Sequence, residues 1–171
     1  AQWNTLTGFV RTQGAGYVAV RGSGVVVLPR EMGSGQGAGS PATTLTEKHG
    51  LPSVHITGMA QDRGRLWLAY GRPEAESGLG LYDPQTGRWE TVLCSTIPGQ
   101  EPFNAGRPYA LMRLARPSSD RLFFINCGRM FPGMKPWMGL WRLDTVHKSL
   151  KYYGYCGTED DLLGYLEAEG V

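Results

Sequence analysis

One six-residue string recurs, and it constrains the fold more than any other feature of the chain. Arg65-Leu66-Trp67-Leu68-Ala69-Tyr70 returns as Arg121-Leu122-Phe123-Phe124-Ile125-Asn126. The runs around each copy follow one order. In the first, Val54 to Ala60 meets the turn Gln61-Asp62-Arg63-Gly64. Arg65 to Tyr70, Gly78 to Tyr82, the turn Asp83-Pro84-Gln85-Thr86-Gly87 and Arg88 to Leu93 then follow. In the second, Tyr109 to Ala115 precedes a turn at Arg116 to Asp120, then Arg121 to Asn126, Gly139 to Leu143 and Ser149 to Tyr155. Gly139-Leu140-Trp141-Arg142-Leu143 is matched here with Gly80-Leu81-Tyr82. A more degenerate copy lies near the start, with Tyr17 to Val20 and Gly24 to Pro29 as strands and Phe9-Val10 assigned to the strand before them. Short β-branched and aromatic runs bounded by Gly, Pro and Asp read as strands, and helical periodicity is nearly absent.

Four strands in succession make one antiparallel meander, and recurrence of that unit every few tens of residues is the signature of propeller blades. A four-stranded sheet with two apolar faces cannot bury both alone, so each unit needs neighbours. The expected fold is therefore all-β: one domain, 1–171, of about three propeller-like blades near 5–34, 53–94 and 108–156. That number is small for a closed ring. A β-sandwich is the alternative, since it too is built of short strands with closely spaced turns. The recurring order of turns favours the propeller.

Two segments stand apart. Met32 to Ser40 is a Gly/Ser tract expected to be flexible. At the other end, Thr158 followed by Glu159-Asp160-Asp161 reads as an N-cap and an acidic first turn, giving a short helix over 158–168. Leu162, Leu163 and Leu166 would be its apolar stripe, expected to cover a blade face left bare.

Over residues 45 to 93 the chain resembles the two-component-regulator propeller repeat. The resemblance rests on Gly50-Leu51-Pro52, the turn Asp62-Arg63-Gly64, the strand Leu66-Trp67-Leu68, and Gly78-Leu79-Gly80-Leu81-Tyr82-Asp83-Pro84 followed by Thr86-Gly87 and Trp89. The second copy keeps Asp120 and Gly139-Leu140 without the Tyr-Asp-Pro-x-Thr-Gly string. The resemblance implies a rigid, extracytoplasmic scaffold, periplasmic or secreted, of the kind found in bacterial sensors. It does not imply an enzyme, and fold analogy alone says little about function.

Several functional classes find no support in the residues. The formal net charge is +2 with Lys and Arg scattered, so no basic patch argues for nucleic acid. No apolar run approaches the roughly 18 residues of a membrane-spanning helix. Cys94, Cys127 and Cys156 lack the paired spacing of a zinc site and read as small buried residues. His49, His55 and His147 are isolated, with His49 and His147 expected at the surface. Gly14-Ala15-Gly16 and Gly22-Ser23-Gly24 read as hairpin turns rather than phosphate loops, because no helix follows either. No catalytic residue, metal or cofactor is assigned, and the balance leans away from an enzyme.

Loop lengths go further. In a meander alternate connections lie at the same end of the sheet. The long ones, Gly71 to Ser77, Cys127 to Met138, Arg30 to Ser53 and Cys94 to Pro108, are all expected at one end, where rigid scaffolds carry their binding groups. Candidate ligand-binding residues there are Arg72, Glu74, Glu101, Arg107, Arg129, Phe131, Lys135 and Trp137. Arginines beside aromatics suit a small carboxylate-bearing molecule, a glycan or a protein partner. Identical chains could also pool their blades to complete the ring. The alternative function is a carbohydrate-binding or glycan-active propeller using Trp137, Phe131 and a loop carboxylate.

Overall fold

The computed structural model describes residues 6–12, 14–29, 41–71, 76–94, 114–115, 120–128, 137–155 and 159–168. Among these, three four-stranded antiparallel sheets follow one another along the chain, each in simple sequential order. Blade 1 holds β1 (Leu6–Arg11), β2 (Ala15–Val20), β3 (Gly24–Pro29) and β4 (Thr43–Leu45). Blade 2 holds β5 (Ile56–Asp62), β6 (Arg65–Tyr70), β7 (Gly78–Asp83) and β8 (Arg88–Cys94). Blade 3 holds β9 (Leu114–Ala115), β10 (Arg121–Gly128), β11 (Trp137–Asp144) and β12 (Leu150–Tyr155), and the helix α1 (Glu159–Glu167) closes the described chain. The first strand of each sheet lies against the first strand of the next, β1 on β5 and β5 on β9. Sheets that stack face to face around their first strands form a propeller-like arc.

Each blade buries both faces where it has two neighbours. Side chains alternate across a strand, and β6 shows what that does here. Leu66, Leu68 and Tyr70 join Ile56, Met59 and Tyr82 against Val10, Tyr17, Ala19, Val25 and Leu45 of blade 1. Trp67 and Ala69 face the other way, with Ala60, Leu79, Leu81 and Leu93, against Leu122, Phe124 and Leu143 of blade 3. Hence the near-continuous apolar run Leu-Trp-Leu-Ala-Tyr in a strand that would otherwise alternate with polar residues. Polar links reinforce the seams. Thr7 Oγ1 donates to the Ile56 carbonyl at 2.9 Å, joining blade 1 to blade 2. Lys148 of blade 3 approaches Glu90 Oε1 at 3.6 Å and lies 5.6 Å from the Trp67 ring centroid.

The turns explain several strings of the sequence. Arg63 and Gly64 both have positive φ, 48° and 88°, the backbone of a two-residue hairpin whose twist matches its strands. Asp83 caps the β7–β8 turn, its Oδ1 accepting from the Gln85 amide at 2.9 Å and its Oδ2 from the Thr86 hydroxyl at 2.8 Å. Asp144 does the same for the β11–β12 turn with the amides of Val146 and His147, at 2.9 and 2.7 Å. Those bonds and the His147 ring hold its carboxyl down at about 2. Gly80 is required by packing: a Cβ there would run into the Trp89 ring and the Glu90 carbonyl.

Four readings of the sequence need correction. The segment Arg30 to Ser53 is not one blade-to-blade loop, because β4 interrupts it. Residues 30–42 therefore join β3 to β4, at the end opposite the other long connections. The first strand of blade 2 begins at Ile56, not Val54. Gly139 is the counterpart of Gly78 rather than Gly80, since it pairs with Asn126 as Gly78 pairs with Tyr70. Finally, α1 meets the far side of blade 3 through Tyr165, a residue outside the expected stripe. Tyr165 packs with Phe123, Leu140 and Tyr153, and its hydroxyl fills the space where Gly154 lacks a Cβ. Leu163 of the expected stripe is 55% exposed; Thr158 and the side chains of Leu162 and Leu166 lie outside the described residues.

Trp67, 1% exposed between blades 2 and 3, is the largest fully buried side chain of the second seam. Truncation of a buried aromatic leaves a cavity, so Trp67→Ala should cost about 3–5 kcal/mol. The drop in the urea midpoint relative to the parent chain measures it.

Candidate functional site

The segment from Thr46 to His55 leads from blade 1 into blade 2 and is held by both. It starts with a single 3-10 turn, Glu47–His49. The Thr46 amide donates to His49 Nδ1 at 3.1 Å, and Gly50 ends the turn with φ 89°. Tyr82 donates its phenol hydroxyl to the His49 carbonyl at 2.7 Å, and Gly50 abuts the Gly87 carbonyl so closely that no Cβ would fit. On the other side, the Val54 carbonyl accepts from the amides of Gly22 and Gly24 in the β2–β3 turn, at 3.0 and 3.1 Å. The strings Gly-Leu-Pro and Tyr-Asp-Pro-x-Thr-Gly thus have a shared physical role: they pack the lead-in segment onto the blade that follows it.

A cavity of about 250 Å³ opens where this segment meets the end of β6. Glu47, Pro52, Ser53, Val54, His55, Tyr70 and Glu76 line it. The Val54 amide donates to Glu47 Oε1 at 3.0 Å, fixing one carboxylate. The His55 amide donates to Ser53 Oγ at 3.0 Å, and the Gly71 amide to the His55 carbonyl at 3.0 Å. Tyr70 is the deep residue, 2% exposed. Its hydroxyl donates to Glu76 Oε1 at 2.9 Å and lies 3.9 Å from the buried Cys94 Sγ. Trp89 meets its ring edge-on at a centroid distance of 5.7 Å. Gly78 makes room for it, since a Cβ there would come within 2.8 Å of the hydroxyl.

Burial pushes the Tyr70 phenol far above its ordinary range, and the hydrogen bond to the Glu76 carboxylate adds to the shift. The described lining therefore offers a phenol that stays neutral, two glutamates, an imidazole and a hydroxyl, with no Lys or Arg among its described residues. Such a lining can bind hydroxyl and ammonium groups by hydrogen bonds. Among the described residues no group of three or more His, Cys, Asp or Glu is placed to hold a metal ion.

The cavity lies at the end where most of the long connections emerge, because the β4–β5 and β6–β7 links share that end of the meanders. Apart from Glu76, which the sequence places on the loop-rich face, its described residues are not those singled out from the sequence. Arg72, Glu74, Glu101, Arg107, Arg129, Phe131 and Lys135 lie outside the described residues. Trp137 opens β11, paired with Gly128 at the last rung of the β10–β11 ladder. Glu76 belongs to the same connection as Arg72 and Glu74. Glu47, Ser53, His55 and Tyr70 carried no such signal, since Tyr70 looks like strand core and the others like loop.

No protein-family model matches the chain, and no curated protein matches it either. Among solved structures, the crystal structure of a puromycin hydrolase is similar over 88% of this chain, at 16% identity and a TM-score of 0.48. The chain spans 21% of that protein. So loose a likeness bears on neither substrate nor reaction.

An unfolded tyrosine loses its proton near about pH 10, whereas buried Tyr70 keeps it. Above that pH the unfolded state binds fewer protons than the native state, so stability falls as pH rises. Below it the contribution is intact. Tyr17 and Tyr82 are shifted in the same direction, also mainly by burial. Tyr70→Phe should therefore remove part, not all, of the alkaline loss of stability, as read by denaturant unfolding from about pH 8 to about pH 11.

Proposed function

We propose that this chain is a non-enzymatic propeller segment that binds a small, hydroxyl- or amine-bearing molecule at the loop-rich end of its blades. The cavity around Tyr70 and Glu76 carries the reading: it is concave, acidic, built on a rigid blade and closed below by a buried donor. Its volume, about 250 Å³, is slightly below the roughly 300–1,000 Å³ of pockets that enclose drug-sized ligands. That size suits a monosaccharide or a short amine. The lead-in and turn strings support a two-component-regulator type of blade, and with it a bacterial, extracytoplasmic sensory scaffold. The connections that hold Arg72, Glu74, Glu101, Arg107, Arg129, Phe131 and Lys135 would extend the recognition surface beyond the cavity, with Trp137 at its margin.

The carbohydrate reading is favoured over a carboxylate ligand by one observation: the described lining residues include two glutamates and no Lys or Arg. A panel of neutral monosaccharides, amino sugars and simple amines, followed by calorimetry, tests it. At least one member should bind, and Glu76→Gln together with Tyr70→Phe should weaken it at least tenfold. Binding of acidic sugars alone, or affinities unchanged in both variants, would move recognition away from this cavity.

A further inference from the structure

The two ends of the blade stack are finished differently. Beyond blade 3 the sheet face of Phe123, Leu140 and Tyr153 is covered by Tyr165 of α1. Beyond blade 1 no described residue covers the sheet. The register puts Phe9, Val18, Val26 and Thr44 in one cross-strand row, Leu6 beside Val20 in a second, and Arg11, Gly16 and Leu28 in a third. This face is apolar except at its margins, with Leu6, Phe9 and Leu28 exposed by 63%, 59% and 40%. Three of the large exposed apolar side chains of the described protein are thus on one sheet face.

That face has a counterpart inside the molecule. In blade 1 Leu6 pairs with Val20, a bulge intervenes, and Gly8 and Phe9 pair with Ala19 and Val18. In blade 2 Ile56 pairs with Tyr70, a bulge falls at the same place, and Gly58 and Met59 pair with Ala69 and Leu68. Leu6-Thr7-Gly8-Phe9 therefore stands where Ile56-Thr57-Gly58-Met59 stands one blade later. Ile56, Met59, Leu68 and Tyr70 are the side chains with which blade 2 receives blade 1. Exposed Leu6 and Phe9 and half-buried Val18 and Val20 occupy those same positions.

We infer that the outer face of blade 1 is a docking site for a further four-stranded β-blade, seated as blade 1 is seated on blade 2. The incoming sheet would present a face like that of Val10, Tyr17, Ala19 and Val25, small residues around one aromatic. Its first strand would lie on β1, where a Thr7-like hydroxyl could donate to the Leu6 carbonyl as Thr7 does to Ile56. A second copy of this chain cannot supply that face by its far end, because α1 occupies the outside of blade 3. Continuity with the blade 1–blade 2 seam favours a blade over any other occupant.

The probe is a blade of known sequence: a copy of residues 6–55 placed directly ahead of Leu6, so that its own lead-in segment enters β1 as the native one enters β5. Parent and extended chains are compared, each also carrying Phe9→Cys in the native blade 1. The extended chain should be monomeric by light scattering and should melt at a higher temperature. Its Phe9→Cys thiol, followed at the peptide level, should react with maleimide at least tenfold more slowly than in the parent. Equal reactivity in the two chains would overturn the inference, whether the added copy folds beside the arc or not at all. So would a parent chain that dimerises reversibly and becomes monomeric with Phe9→Lys, since a second copy would then be the occupant. Neither readout depends on ligand binding at the Tyr70 cavity.

Discussion

The structure depends on sheets that are apolar on both sides. A strand such as β6, which sends Leu66, Leu68 and Tyr70 one way and Trp67 and Ala69 the other, cannot be satisfied by a single partner. Such a sheet demands cover on either face, which a stacked sheet supplies between blades and α1 supplies outside blade 3. The turns, bulges and glycines are subordinate to this demand. Gly80 lets Trp89 lie over its own sheet, Gly78 gives way to Tyr70, and Gly154 gives way to Tyr165. In each case an aromatic ring takes the space that a missing Cβ leaves.

Blade 2 was legible in the sequence because strong turn chemistry brackets each of its strands: Arg63-Gly64 before β6, and Asp83 to Gly87 before β8. Blade 1 was legible only in part. β4 is three residues long and follows a Gly/Ser tract, so it has too few positions to show alternation. The bulged string Leu6-Thr7-Gly8 repeats Ile56-Thr57-Gly58, but three residues are a weak signal until the ladders align them. The helix was found by its acidic first turn, yet its contacting residue was missed. The apolar stripe was sought among leucines alone, and Tyr165 packs beside the Tyr153 ring of blade 3.

The cavity was harder to foresee. Its lining comes from a connecting segment whose path is set by three long-range hydrogen bonds, from Gly22 and Gly24 to Val54 and from Tyr82 to His49. None of these can be read from local pattern. The expectation that binding groups gather on long connections at one end names the end where this cavity lies, since meander topology alternates its ends. It reached the connection that holds Glu76 and passed over Tyr70, whose buried hydroxyl meets Glu76 only once the chain has folded back.

The clamp on Val54 has a mechanical consequence. This one residue is bonded through its carbonyl to blade 1 and through its amide to Glu47, and it lines the cavity. Any shear of blade 1 across blade 2 must either break the bonds from Gly22 and Gly24 or drag one wall of the cavity along. The width of the opening is thereby tied, as by a strain gauge, to the spacing of the two sheets. A molecule seated there would in turn act as a wedge that fixes the angle between them.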